Sequence, residues 1–143
     1  MPYKTVIAAL SMKGDETRVI DEAVRLANSF GSHLIVAHVN DPHAGSPSMM
    51  MDSPGLKITE EDIRNLFREA GHEEFAPRIE VQLPVSESIP KALKSLCERG
   101  DLLILGHRRM TTFREHFMDS IDEGIVNHVS CPVLIVQKGD KKG

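Results

Sequence analysis

The chain has no tryptophan, one tyrosine (Tyr3) and two cysteines among its 143 residues. So few aromatic rings leave almost no material for a surface that stacks nucleic-acid bases. Cys97 and Cys131 follow no pattern, and neither a CxxC pair nor a matching histidine pair supports a zinc site. Both fall in segments that read as buried, Cys97 in mid-helix and Cys131 just before Pro132, so they read as packing thiols, with a disulfide or metal site left open. Positive charge is also scarce: 17 lysines and arginines stand against 21 acidic residues, a net charge of -4, and no basic patch is dense enough to bind a phosphate backbone. Long apolar runs are missing too. Runs such as Leu102 to Leu105 are far short of the ~20 residues of a membrane span, and the N-terminus carries no apolar signal core. These absences set the expectation of a cytoplasmic protein without nucleic-acid or membrane partners.

What is present is ordinary for a globular fold, with 41% hydrophobic and 27% charged residues. The length suits one domain over residues 1–143. Tyr3 to Leu10 is apolar and β-branched and reads as a buried strand, followed by a helix from Glu16 to Phe30 whose apolar residues recur at three and four. Gly31 stands where a C-cap belongs. His33 to Val39 is a second strand, and residues 41–58 read as a mobile Pro/Ser/Gly loop in which Met49, Met50 and Met51 are either incidental or a docking surface. Thr59 and Asp62 have capping-box spacing ahead of a helix through Ile63, Leu66, Phe67 and Ala70. Arg78 to Leu83 alternates as a half-exposed strand does. Ser86 or Ser88 caps a helix with Pro90 in its first turn, Asp101 to Gly106 is a buried strand, and Ser120 with Glu123 forms a capping box for a helix to about His128. Cys131 to Gln137 is the last strand and residues 138–143 are a charged tail. Strands alternating with helices predict an α/β fold: an open, doubly wound, Rossmann-like five-stranded parallel sheet with helices on both faces.

Ligands of such folds sit beyond the carboxyl ends of the strands, at helix N-termini. That directs attention to Ala9, Leu10 and Ser11, to Val39, and to the stretch from Gly106 to Ile121. Gly106 lets a backbone approach a ligand, Arg108 and Arg109 offer bidentate phosphate contacts, and Ser120 opens a helix. Asp119 satisfies the same helix start with its own carboxylate, so simple capping and anion binding both remain open. Of the seven histidines, His107, His116 and His128 do not fall at zinc-ligand spacing; His33 and His38 lie on a strand, and His107, next to the candidate site, is the one with a place near the chemistry. Nucleophile-elbow, phosphate-loop, HExxH and dinucleotide-glycine motifs are absent, and no set of catalytic residues can be named.

Taken together, the opening YKTVIAAL, the HVND ending of the second strand, DLLILGH, the spacing to Asp119-Ser120 and the SCPVLIV ending resemble the universal stress protein family over essentially the whole chain. Its nucleotide-binding members carry a glycine, two residues, a glycine, nine residues and a glycine with Ser or Thr; here Gly106, Arg109 and Asp119-Ser120 hold that spacing with two of three glycines replaced. Arg109 cannot take glycine's positive φ freely, and Asp119 repels a triphosphate by ~1 kcal/mol at ~4 Å even in bulk water. Ser11 stands where the resemblance places an adenine-binding aspartate. The resemblance therefore implies a stress-response protein of the branch that does not bind ATP, a homodimeric interaction or signalling module with no cofactor and no enzymatic role. The family's last strand commonly pairs with its partner, which makes Val133, Leu134, Ile135 and Val136 candidate interface residues. The competing expectation is an adenine-nucleotide sensor holding ATP or AMP among Ser11, Val39 and Gly106–Ser120, with the arginines in place of the glycine loop.

Overall fold

In a computed structural model, residues 3–12, 14–43, 57–107 and 120–138 are described, the last without the side chains of residues 120–123. Strand β1 (Thr5–Ala9) is followed by α1 (Thr17–Phe30), β2 (His33–Ala37), α2 (Glu60–Glu69), a 3-10 turn (Ala76–Arg78), β3 (Glu80–Gln82), α3 (Ile89–Cys97), β4 (Leu102–His107), α4 (Ser120–His128) and β5 (Val133–Gln137). The sheet has five strands in the order β3-β2-β1-β4-β5, and every pairing is parallel. This is the doubly wound α/β architecture expected from the alternation of apolar strands and amphipathic helices.

Local chemistry accounts for the elements. Val6, Ile7 and Ala8 of β1 are completely buried, because a central parallel strand is covered on both faces and needs no polar alternation. Helix α1 buries Val19, Ile20, Ala23, Val24 and Ala27 along one stripe. It ends where Gly31 adopts φ 65° and returns its N–H to the Ala27 carbonyl. At α2 the capping box forms in full: Asp62 N–H donates to Thr59 Oγ1 at 3.2 Å and Thr59 N–H donates to Asp62 Oδ2 at 2.9 Å. Ser88, rather than Ser86, caps α3 by accepting from the Lys91 N–H at 3.3 Å.

Helices α1 and α2 pack with Val6, Ala8, Leu34, Val36, Leu102 and Ile104 on one face of the sheet. Leu93 and Cys97 of α3 and Ile125 of α4 pack with Ile7, Ile35, Leu103 and Leu105 on the other. The direction in which the sheet is wound thus reverses between β1, which leads to α1, and β4, which is entered from α3 on the opposite face. The crevice of the doubly wound sheet lies at this reversal.

Several boundaries differ from expectation. β1 starts at Thr5 and β2 stops at Ala37, so His38 lies just past the strand. The segment from Arg78 yields only the three-residue β3, because Pro77 initiates a 3-10 turn through Arg78 and a short outer strand limits exposed ladder groups. Helix α1 begins at Thr17, with Glu16 as its cap residue making no side-chain capping bond. Ser120 is the first helical residue of α4. Cys97 is the last residue of α3 instead of a mid-helix residue, and Cys131 is half-buried. Most of the expected mobile loop, including Met49 to Met51, lies outside the described residues. Among the described residues no helix is long and apolar enough to cross a membrane.

Candidate functional site

Ser11 follows β1, Gly106 and His107 close β4, and Lys138 follows β5. The β4·β5 register sets His107 opposite Gln137, and the Lys138 N–H donates to the His107 carbonyl at 2.8 Å. This bond extends the ladder by one step and brings the Lys138 side chain over the crevice. Its ammonium donates to Ser11 Oγ at 3.1 Å, to Glu16 Oε2 at 3.3 Å and to the Gly14 carbonyl at 3.4 Å. The Ser11 hydroxyl in turn donates to Glu16 Oε2 at 3.3 Å. The pair is buried, with side-chain exposures of 7% for Lys138 and 4% for Glu16. The second carboxylate oxygen, Glu16 Oε1, is buried and has no hydrogen-bond partner among the described residues.

Lys138, the first residue of the stretch read as a charged tail, is itself buried and tied into the fold. The ammonium is desolvated, and its charge is balanced by a carboxylate from the other end of the chain. Strand-end glycine has its expected use, but for the protein itself. A Cβ at Gly106 would lie 2.6 Å from Lys138 Cε and 2.7 Å from Val19 Cγ2. The lysine stem and a core valine therefore occupy the space into which a ligand would have to move to approach that backbone.

The turn between β1 and α1 is unusual. Met12 (φ 62°) and Asp15 (φ 61°) are non-glycine residues in the left-handed region, beside Gly14 at φ 97°. Such residues cost of order 1 kcal/mol or more each and persist when surrounding contacts hold them. Here the Gly14 carbonyl and Glu16 are both held by Lys138. A cavity of about 320 Å³ adjoins the turn and is lined by Met12, Gly14, Asp15, Glu16, Thr17 and Ile20, with Leu66 and Glu69 of α2 and Ala70 just past its end across from them.

On the other side of β1, His38 Nδ1 lies 2.8 Å from the Leu10 carbonyl, so Nδ1 carries the proton and donates. Asn40 is buried and pins the base of the loop before α2: its amide donates to the Ile58 carbonyl and accepts from the Ile58 N–H, both at 3.0 Å. Ala9 and Val39 pack toward the α3/α4 side of the sheet, whereas Leu10 belongs to the α1/α2 core. The sheet thus brings Ser11, Gly106 and His107 together and leaves Ala9 and Val39 on the opposite flank. Arg108, Arg109 and Asp119 lie outside the described residues, as do the side chains of Ser120 and Ile121.

Glu16 and Lys138 are the crevice residues that sequence reasoning missed. A carboxylate at a helix start is a common cap, and a lysine after a strand is a common solvent residue; only their tertiary meeting makes them special. Three other histidines have partners elsewhere: His33 Nε2 lies against Glu80 Oε1, His72 Nε2 against Asp21 Oδ1 and His128 Nδ1 against the Gly124 carbonyl, each at 2.7 Å. Among the described residues no three His, Cys, Asp or Glu side chains are grouped to hold a metal ion.

The pattern of the universal stress protein family matches residues 2–137. A Staphylococcus aureus (strain USA300) protein provisionally named a universal stress protein is 25% identical over 142 residues, covering 94% of this chain and 84% of that one. Among solved structures, a universal stress protein in complex with cAMP has a TM-score of 0.66 at 23% identity, covering 97% of this chain and 100% of that chain. The Archaeoglobus fulgidus universal stress protein in complex with dAMP has a TM-score of 0.57 at 18% identity, covering 94% and 98%.

Proposed function

The chain belongs to the universal stress protein family, and from that premise we propose that it works in the cytoplasm as a homodimeric interaction and signalling module without classical ATP binding. Membership makes it a stress-response protein. The finer reading is carried by one observation: the buried Lys138–Glu16 pair packed over Gly106. To admit a phosphate, the lysine would have to leave Glu16, stranding a carboxylate with 4% exposure. Breaking a buried ion pair by losing one partner costs ~3–5 kcal/mol, which a triphosphate's new contacts would first have to offset. Two of the three glycines of the nucleotide-binding pattern are also replaced, by Arg109 and Asp119. No catalytic role is assigned.

Homodimerisation through β5 is part of this reading. β5 is an outer strand of the sheet, and Val133, Leu134, Ile135 and Val136 are each only half-buried. An apolar edge of this kind invites pairing with another strand. Sedimentation of the Val133→Lys/Ile135→Lys variant is expected to give half the wild-type mass; an unchanged mass would sink the strand-pairing idea.

A second reading is favoured by the cAMP and dAMP complexes of similar folds: an adenine-nucleotide sensor that uses ATP or AMP, with Arg108 and Arg109 replacing the glycine loop. Calorimetric titration separates the two. The proposal expects no saturable heat with ATP, ADP or AMP. Saturable heat that weakens in Arg109→Ala would reject it in favour of the sensor.

A further inference from the structure

The cavity beside the β1–α1 turn has a lining of two kinds. Met12 and Ile20, with Leu66 and Ala70 across from them, are apolar, whereas Asp15, Glu16 and Glu69 are acidic. No described residue of the lining is cationic. Its volume of about 320 Å³ stands at the small end of ligand-binding cavities, which run ~300–1,000 Å³.

Glu16 sets the chemistry. Its side chain is 4% exposed, Lys138 holds Oε2, and Oε1 is buried without a hydrogen-bond partner among the described residues. A buried carboxylate oxygen left unmatched is costly, and the group that repairs it must be a hydrogen-bond donor, best a charged one. The opposite wall asks for the same sign. Leu66 and Glu69 lie in the last turn of α2 and Ala70 is its C-cap, at the end where a helix carries ~0.5 of a negative charge. Glu69 adds a full negative charge there, while Arg68, the basic residue of that turn, pairs with Glu61 at 2.7 Å. The amino end of α1 also borders the cavity, but its ~0.5 of a positive charge is outweighed by the three carboxylates. The lining thus repels anions and attracts cations. Among the described residues no three acidic, His or Cys side chains are grouped to hold a metal ion, so a bare ion does not match charges spread this way. A cation with its own charges apart and an apolar stretch between them does.

We propose that this cavity binds a small aliphatic diamine in its doubly protonated form. One ammonium takes the unmatched oxygen of Glu16 and the other pairs with Glu69, and the methylene chain lies against Met12, Ile20, Leu66 and Ala70. Lys138 keeps Oε2, so the ligand and the lysine share Glu16 through different oxygens, and the site stands whether or not the crevice takes a nucleotide.

The experiment is calorimetric titration of the full chain at low salt with putrescine (1,4-diaminobutane), n-butylamine and 1,4-butanediol, with amide chemical shifts to locate the binding. Saturable heat is expected with putrescine, about fivefold weaker binding with n-butylamine, which lacks one charge, and none with the diol. Putrescine should shift the amides of Gly14, Thr17 and Ala70 saturably. Glu69→Gln should weaken putrescine about fivefold and leave n-butylamine within twofold of its wild-type affinity. Glu16→Gln should weaken both amines; should it fail to fold, Glu69→Gln decides. No saturable heat with putrescine, equal binding of the diol, an unchanged putrescine affinity in Glu69→Gln, or shifts scattered over the acidic surface would each overturn the inference.

Discussion

The two ends of the sheet each hold a carboxylate with cationic partners, and they use it in opposite ways. At the amino end, Glu80 of β3 accepts from Arg99 at 2.9 and 3.1 Å and meets His33 of β2 at 2.7 Å, with Arg99 52% exposed. Arg99, then His33, hold the Glu80 carboxyl down from the ordinary 4.5 to about 2. At the carboxyl end, Glu16 and Lys138 are buried, one carboxylate oxygen is orphaned, and the lysine stem fills the room beside Gly106. The first cluster is wet and adjustable, so it contributes little to stability and leaves nothing for a ligand to displace. The second is dry and matched one to one, so any occupant of the crevice must compete with it.

The largest expected effect breaks the buried pair. Lys138→Met should lower unfolding stability by ~3–5 kcal/mol in denaturant titration, since it leaves Glu16 charged and uncompensated. Adding Glu16→Leu should restore most of the loss, because a well-packed apolar pair can replace a buried ionic one. A Lys138→Met loss below ~1 kcal/mol would mean that the carboxyl end is as wet as the amino end. Next comes Gly106→Ala, whose Cβ must displace Lys138 or Val19; overpacking should cost ~1–3 kcal/mol in the same titration. An unchanged midpoint would show that the crevice has room to spare.

The smallest effect is at Glu80. Glu80→Gln should cost under ~1 kcal/mol at neutral pH. The sign of its pH dependence follows from a folded carboxyl held below its unfolded value. Its contribution is complete above the ordinary 4.5 and is lost as pH falls toward about 2. Stability profiles of wild type and Glu80→Gln should therefore run apart above that window and converge as pH falls through it. Parallel profiles across it would remove Glu80 from the account.

Much of the fold is written locally. The β-branched run of β1, the glycine after α1 and the Thr59–Asp62 pair each act through near neighbours, so reading them needs no tertiary knowledge. β3 came out shorter than its alternating pattern because Pro77 and an outer position both cut it. At the site, Ser11, Gly106 and His107 could be placed from strand ends alone, since the fold class says where strand ends gather. Lys138 could not. Its partner Glu16 lies 122 residues away, and a lysine after a strand has the same local signature whether it enters solvent or turns inward. The left-handed Met12 and Asp15 are hidden for a similar reason, because nothing in their side chains asks for positive φ.

The most direct test of the central claim, that Lys138 and Glu16 occupy the crevice in place of a nucleotide, is an amide chemical-shift titration of the full chain with AMP and ATP. The account predicts no saturable shifts at Ser11, Gly106 and Lys138. Saturable shifts clustered at those three amides would contradict it.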